Sequence, residues 1–218
     1  MLKADLHIHT EYSMDCSTPL EKIVRRCREL GINSVAVADH GTVEGALKMK
    51  KMAPFQVIVA EEVLTTQGEI MGMFLKETIP SGLTPQETIK RIRAQGGLVN
   101  IPHPYDRVRG SALRDWVIEE IADEIDLIEV YNARSASTEN IERARTFALK
   151  YKIPKSAGSD AHSVQEIGNA YVLMSEFTGK EEFLKSLARS EIFGHRASPL
   201  VHISSTLAKV RSRIQKRG

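Results

Sequence analysis

Short apolar runs alternate with helical patterns along most of the chain. Strands are predicted over KADLHIH, INSVAVAD, FQVIVAEEVL, EIMGMFL, LVNIPH, DLIEVYN, KSAGSDAH and AYVLM. Helices are predicted over TPLEKIVRRCRELG, TVEGALKMKKMA, TPQETIKRIRAQGG, ENIERARTFALKY and KEEFLKSLARS. This alternation predicts an α/β fold with a parallel sheet, either closed as a barrel or open and doubly wound.

Local signals indicate where several of these elements begin and end. Thr18 and Glu21 have the spacing of a capping box, and Gly31 follows the end of the same helical pattern. Thr84 and Glu87 form a second capping box. The letters TTQG, between FQVIVAEEVL and EIMGMFL, predict a tight turn that joins two strands.

The first predicted strand carries two histidines one residue apart, in DLHIH. Successive side chains of a strand point to opposite faces, so Asp5, His7 and His9 are expected to share one face. Leu6 and Ile8 are expected to share the other face. Neutral imidazole is the commonest metal ligand among side chains. The pair therefore indicates either a metal site or two half-exposed histidines at a strand end.

Histidines and acids collect at the carboxyl ends of the predicted strands, the edge at which parallel α/β folds build their sites. Five of the seven histidines lie there, namely His7, His9, His40, His103 and His162. The acids at this edge are Asp15, Asp39, Glu61, Glu62, Glu129 and Asp160. Imidazole and carboxylate together suit zinc, manganese or iron, and a set this rich in acids would hold more than one ion.

The composition is that of one soluble globular domain. The chain has 218 residues, of which 42% are hydrophobic and 27% charged. No apolar run approaches the length of a membrane span, and the N-terminus lacks the pattern of a signal peptide. The two cysteines, Cys16 and Cys27, do not form a CxxC motif. We therefore expect a cytoplasmic protein without a membrane partner.

The formal net charge of +2 is unevenly distributed. The segment from Ile192 to Gly218 contains six basic residues and no acid: Arg196, Lys209, Arg211, Arg213, Lys216 and Arg217. We expect a barrel over residues 1–192 and a basic segment over 193–218 that packs on it. Its apolar stripe (Leu207, Val210 and Ile214) is typical of a helix docked on a core, and contact with nucleic acid is the alternative. His195 and His202 are interpreted as structural or surface residues.

Five motifs in order, DLHIHT, ADHGT, VAEEV, IPHP and GSDAH, resemble those of the PHP family, named for its polymerase and histidinol-phosphatase members. The resemblance implies a distorted, TIM-like barrel of seven β/α units. It also implies two or three divalent metal ions (zinc, manganese or iron) in a cleft at the strand ends, and hydrolysis of phosphate esters.

The same resemblance implies a ligand for each metal position. The first metal would be held by His7, His9, Glu62 and Asp160; the second by Glu62 as a bridge and His103; the third by Asp15, His40 and His162. The catalytic set would be His7, His9, Glu62, His103, Asp160 and His162.

The sequence departs from the family pattern at two places. Ala60 stands where the family often has glycine, so Glu62 is preferred to Glu61 on motif spacing alone. The loop NARSAST lacks the histidine that many members supply after the fifth strand. We expect Asn132, water or substrate to fill the place of this histidine at the second metal.

Other residues at this edge are expected to support the site. Asp5 would fix an imidazole through its second ring nitrogen or serve as a structural strand end, and Asp39 has the same two interpretations. Arg134, Arg107 and Arg109 are candidates to grip a phosphate, because guanidinium matches phosphate oxygens in a bidentate fork. Simple solvation is the alternative for each arginine.

These features predict a phosphoesterase that hydrolyses a phosphate monoester of a nucleotide, or of a short oligonucleotide end, with a metal-activated hydroxide. Histidinol-phosphate phosphatase and a PHP-type exonuclease remain alternatives. An amidohydrolase barrel also begins with HxH, but LVNIPH lacks the metal-bridging lysine typical of that class. A metal-free binding module is the non-enzymatic alternative. The expected partner is a small phosphorylated substrate or a nucleic-acid end.

Overall fold

The computed structural model describes residues 1–135 and 137–196. The predicted apolar stripe of the basic segment, with Leu207, Val210 and Ile214, lies outside the described residues, as does His202. Strands and helices alternate as follows: β1 Leu2–Ile8, α1 Leu20–Glu29, β2 Ser34–Val37, α2 Glu44–Met52, β3 Gln56–Thr65, β4 Gly68–Met73, α3 Pro85–Ala94, β5 Leu98–Ile101, α4 Asp115–Glu120, β6 Leu127–Asn132, α5 Thr138–Tyr151, β7 Lys155–Gly158, β8 Ala170–Met174, α6 Lys180–Leu187 and β9 Glu191–Gly194.

The described strands form one nine-stranded sheet in the order β7-β6-β5-β4-β3-β2-β1-β8-β9. The chain after β7 returns to β1, where the amide of Asp160 donates to the carbonyl of His7 at 2.8 Å. The amide of His9 donates to the carbonyl of Ala161 at 2.9 Å. The sheet is therefore a nearly closed barrel, and the prediction of a TIM-like α/β barrel is confirmed.

The sheet is mixed rather than parallel throughout. β4 and β8 run antiparallel to both of their neighbours, whereas β1–β2, β2–β3, β5–β6 and β6–β7 are parallel pairs. The TTQG segment explains why β4 runs antiparallel to β3, because a turn this short reverses the chain direction. The turn places Glu69 of β4 directly opposite Leu64 of β3.

The two faces of the sheet carry separate hydrophobic clusters. The outer cluster lies between sheet and helices and includes Ile23 of α1 and Ile89 of α3. The inner cluster fills the barrel with residues such as Ala60 and Met71, and Phe183 of α6 packs into it. The interior of the barrel is thus packed with apolar side chains, and the edge expected to carry a site is the one formed by the carboxyl ends of the parallel strands.

A register shift in β1 alters the expected alternation of its side chains. Leu6 belongs to the inner cluster and Ile8 to the outer cluster, so these two residues do not share a face. The pairing of β1 with β2 shifts between Asp5 and Ile8. Because such a bulge re-aims the residues that follow it, His7 and His9 turn toward the barrel mouth without Asp5. The prediction of a common face for all three was wrong.

The two predicted capping boxes have different outcomes. The hydroxyl of Thr84 accepts a hydrogen bond from the amide of Glu87 at 3.2 Å, as expected. The Thr18 hydroxyl does not cap α1; it donates to the carbonyl of His162 at 3.1 Å. Gly31 lies just past α1 with φ of 67°, a conformation that favours glycine. Thr18 therefore ties the start of α1 to the barrel mouth.

No helix among residues 1–135 and 137–196 is long and apolar enough to cross a membrane.

Candidate metal centre

The predicted ligands converge at the barrel mouth, at one side of a cleft of about 890 Å³. His7 and His9 are buried, and their Nε2 atoms lie 3.2 Å apart. Glu62 Oε2 lies 3.3 Å from each of these nitrogens, and Asp160 Oδ1 lies 3.3 Å from His9 Nε2 and 3.8 Å from His7 Nε2. Two nitrogens and two carboxylate oxygens therefore face one point.

A second grouping lies on the other side of Glu62. Its Oε1 is 2.9 Å from the Nε2 of His103. Glu69 brings one oxygen to 3.5 Å from the same nitrogen of His103 and the other to 3.4 Å from Nδ1 of His40. Glu62 thus has one oxygen on each side, as a bridging carboxylate requires.

A third grouping is built around Asp15. Its Oδ2 lies 3.3 Å from Nε2 of His40 and 3.2 Å from Nε2 of His162. The ring of His9 packs against this set, with its centroid 4.2 Å from that of His162. Among the described residues, ligand atoms fall within 4.8 Å of one another in the sets His9–Asp15–His40–His162, His7–His9–Glu62 and His40–Glu62–Glu69.

Several carboxylate oxygens of these groupings lack hydrogen-bond donors, as expected of atoms that bind metal ions. Glu62 Oε2, Glu69 Oε2 and Asp160 Oδ1 are buried and accept no hydrogen bond. A buried carboxylate oxygen without a donor is costly, and divalent cations bound in these groupings would satisfy such oxygens. An imidazole nitrogen lies 3.3 Å from Glu62 Oε2, 3.3 Å from Asp160 Oδ1 and 3.5 Å from Glu69 Oε2, so the donor set is that of an N/O metal site.

The electrostatics of the site indicate the same need for positive charge. Burial opposes charge on the imidazoles, yet the neighbouring carboxylates raise the pKa of His7 well above its usual range and that of His9 to about 10. Burial also opposes charge on the acids, but nearby cationic groups hold the pKa of Glu62 and Asp160 well below its usual range. Protons and metal ions therefore compete for the same imidazole nitrogens and carboxylate oxygens.

His162 is an exception among the histidines. Its burial and the charge of His9 lower the pKa of His162 to about 4. The ring is therefore neutral at pH 7, which is the form that binds metals.

The comparisons with known proteins agree with this geometry. The family model of the PHP domain matches residues 5–78, and a model described as PHP-associated matches residues 138–192. An uncharacterized protein of Methanocaldococcus jannaschii is 40% identical over 145 residues, which cover 61% of this chain and 82% of the relative. The chain belongs to the PHP family.

Solved structures share the fold of this PHP domain. A candidate metal-dependent phosphoesterase from Bifidobacterium adolescentis is 18% identical, with a TM-score of 0.62 over 73% of this chain and 87% of that chain. A two-domain protein from Bacteroides vulgatus, which contains a PHP-like region described as a predicted metal-dependent phosphoesterase, is 16% identical with a TM-score of 0.68. That likeness covers 89% of this chain and 65% of the other.

Strand parity answers which glutamate of the PHP motif VAEEV faces the site. Residues two apart on a strand share a face. Glu62 lies two residues after Ala60 of the inner cluster, whereas Glu61 lies two residues after Val59 of the outer cluster. Glu61 accepts a hydrogen bond from the amide of Ile79 at 2.9 Å, and its burial raises its pKa to about 7. Glu62 is therefore the glutamate at the barrel mouth.

Glu129 supports ligands of the PHP site, a role that the sequence analysis did not assign to it. Its Oε1 lies 3.2 Å from Nδ1 of His7, and its Oε2 accepts from the amide of His103 at 2.7 Å. Asn132 donates to Glu129 at 2.9 Å and to Asp160 at 3.2 Å. One buried carboxylate thus orients an imidazole of the first set and holds the backbone of His103, whose φ is 32°.

The supports proposed from the sequence differ in outcome. Asp5 accepts from the amides of Ser159 and Gly168 at 2.9 and 3.0 Å, so it has the structural role and does not fix an imidazole. Asp39 accepts from the amide and the hydroxyl of Thr10, both at 2.6 Å. These carboxylates tie loops of the barrel together rather than orient metal ligands.

Asn132, water and substrate were the alternatives for the place of the missing loop histidine, and the contacts of Asn132 speak against the first of them. Its oxygen accepts from the amides of Arg134 and Ser135 at 3.0 and 3.2 Å. Its nitrogen donates to Glu129 and Asp160. Both ends of the amide are committed to the loop, so Asn132 supports ligands instead of being one.

Two of the three candidate arginines contact ligand residues. Arg109 donates to Oδ2 of Asp160 at 2.6 Å, which leaves Oδ1 directed at His9. Nη1 of Arg134 lies 2.7 Å from Nδ1 of His162, and its Nε lies 3.1 Å from Glu166. Both arginines line the cleft.

Arg107 also lines the cleft, but it is unlike the other two. Its side chain is 77% exposed and pairs with Asp115 at 3.3 Å. It lies at the rim, where a substrate group would meet it before reaching the metal centre.

Glu69 is the candidate ligand that sequence reasoning missed. The TTQG turn was the available signal, because two turn residues place Glu69 opposite Leu64 and therefore on the face of Glu62. Glu69 lies outside the five motifs, and the other residues of its strand have the apolar pattern of ordinary core residues.

Proposed function

We propose that the protein is a metal-dependent phosphoesterase that hydrolyses a phosphate monoester of a nucleotide or of a short oligonucleotide end. The observation that supports this most is the presence of cation ligands and arginines in one cleft. The arginines that line it are Arg107, Arg109, Arg134, Arg143 and Arg196. A site for cations beside guanidinium groups is complementary to a phosphate ester.

The residues that would hold the metal ions are His7, His9, Asp15, His40, Glu62, His103, Asp160 and His162. When bound, divalent ions lower the pKa of water toward neutrality and offset negative charge on phosphate oxygens. Zinc, manganese and iron all suit this mixture of imidazole and carboxylate.

The chain's own groups position the substrate. Arg109 is held against Asp160 and Arg134 against Glu166, so both guanidinium groups are oriented before a phosphate arrives. The cleft of about 890 Å³ lies within the usual range for small-molecule sites and is large enough for a nucleotide.

A covalent route through the nearby thiol is disfavoured. Cys16 donates to the carbonyl of His162 at 3.2 Å, and its burial raises its pKa to about 12. The thiolate, which is the nucleophilic form, is therefore scarce at neutral pH. Direct attack by water on phosphorus is the simpler mechanism for this cleft.

The test is a screen of the full chain, reconstituted separately with Mn²⁺, Zn²⁺ or Fe²⁺, against three substrate classes: phosphate monoesters, oligonucleotides phosphorylated at an end, and amides. We expect turnover of phosphate monoesters. Glu62→Gln should lower this rate by at least about 100-fold, in the range expected when a key charged group of a site is removed. Glu61→Gln is the matched control, because it changes a buried neighbour on the other face of β3.

Two outcomes would contradict the proposal. Turnover of amides with no release of phosphate would place the chain among amidohydrolases. Full metal loading without turnover of any phosphorylated class would indicate a binding module.

A further inference from the structure

Glu69 occupies a fixed, buried position at the mouth of the barrel. It is the second residue of β4 and is 4% exposed. Its amide donates to the carbonyl of Ser111 at 2.8 Å, and its strand pairing places it opposite Leu64. The backbone is thus held from both sides, so the direction of the carboxylate is set by the fold.

The two oxygens of Glu69 face different histidines. Oε1 lies 3.4 Å from Nδ1 of His40, and Oε2 lies 3.5 Å from Nε2 of His103. The same nitrogen of His103 lies 2.9 Å from Glu62 Oε1. Two carboxylates therefore converge on one ring nitrogen.

Protons alone do not satisfy this arrangement. A ring nitrogen carries at most one hydrogen, so His103 Nε2 can donate to only one of the two carboxylates. It donates to Glu62, and Glu69 Oε2 accepts no hydrogen bond although it is buried. A cation between His103, Glu62 and Glu69 would bind all three atoms and remove the repulsion between the carboxylates.

We infer that Glu69 is a metal ligand, which holds a divalent ion together with His103 and Glu62. This inference deepens the proposed function, since it completes the metal position for which the loop NARSAST offers no histidine. Two carboxylates and one imidazole form a harder donor set than two or three imidazoles. The preference of this position is therefore shifted toward Mn²⁺ relative to a site built of imidazoles.

Glu69 also links this position to its neighbour. His40 directs Nε2 at Asp15, 3.3 Å away, and Nδ1 at Glu69 (3.4 Å) and Glu62 (3.5 Å). With these carboxylates beside Nδ1, a proton on Nδ1 would leave Nε2 as the nitrogen available for the ion beside Asp15. The same carboxylate would thus bind one ion and orient a ligand of the next.

The experiment measures Mn²⁺ binding to metal-free protein by isothermal titration calorimetry, with bound metal counted by elemental analysis. Glu69→Gln keeps the size of the side chain and removes its charge. We expect it to lose one Mn²⁺ per chain or to bind that ion at least about tenfold more weakly. Glu61→Gln, a buried carboxamide variant outside the site, should bind Mn²⁺ as the unmodified chain does.

Unchanged stoichiometry and affinity in a folded Glu69→Gln protein would overturn the inference. If that variant does not fold, Glu69→Asp keeps the charge and shortens the reach, and it should bind Mn²⁺ more weakly than the unmodified chain. Unchanged affinity in the aspartate variant would again refute the role. Metal binding is measured here independently of catalysis. A chain that binds Mn²⁺ through Glu69 but hydrolyses no phosphate ester would therefore refute the proposed function and leave the inference about Glu69 intact.

Discussion

The Nε2 atoms of His7 and His9 lie 3.2 Å apart, and both lie 3.3 Å from one oxygen of Glu62. Two neutral imidazoles with adjacent lone pairs repel each other, so this contact needs a shared proton or a shared cation. Because the carboxylate beside them accepts no hydrogen bond at that oxygen, a cation satisfies every atom of the set. The motif DLHIH thus supplies two residues of the proposed metal centre.

The role of Glu129 as a support is tested by replacing it with alanine. The change leaves Nδ1 of His7 and the amide of His103 without their acceptor. We expect Mn²⁺ affinity to fall by about 10- to 100-fold, as for other partners of metal-ligating histidines. Glu191→Ala, at an exposed position of β9, is the control for loss of a carboxylate. Equal affinity in the two variants would contradict a supporting role.

The arginines Arg109 and Arg107 are predicted to contribute unequally. Arg109→Ala removes the donor at 2.6 Å from Asp160, and it should lower kcat for a phosphate monoester by at least about tenfold. Arg107→Ala removes a side chain that is 77% exposed, so kcat should change by less than about twofold. Steady-state kinetics of both variants measure this difference. A larger loss for Arg107→Ala would mean that phosphate binds at the rim.

Much of the site could be predicted from the sequence because its ligands follow strands directly. The position of His40 after β2, or of His103 after β5, requires only that each strand be recognised and that strand ends meet at one edge. The fold class follows from the same alternation. These inferences depend on periodicity, which is local in the chain.

The errors arose where a distant contact decided the outcome. Thr18 has the spacing of a helix cap, but its hydroxyl instead bonds the carbonyl of His162. Asp5 was assigned to the face of His7, and a bulge against β2 separated them. Glu69 required the pairing of β4 with β3 to be known. Capping and face thus depended on residues far away in sequence, whereas Glu69 required the register of a predicted hairpin to be carried through to the side chains.

Both cysteines are predicted to be unreactive in the native protein. Burial raises the pKa of the Cys16 and Cys27 thiols to about 12, so they stay protonated at pH 8 and release protons only well above it. Since the thiolate is the reactive form, titration with Ellman's reagent at pH 8 should detect no rapid thiol before unfolding and both thiols in denaturant. Rapid labelling of the native chain at that pH would show that one thiol lies in a more open or more cationic setting.

The metal content of the chain tests most directly whether the barrel mouth is a multinuclear metal centre. Protein purified without chelators should be measured by inductively coupled plasma mass spectrometry against protein concentration from amino-acid analysis. We expect two or more divalent transition-metal ions per chain, since the histidine and carboxylate groups form more than one overlapping set. A folded chain that contains less than one ion and hydrolyses phosphate esters at its full rate would contradict the account.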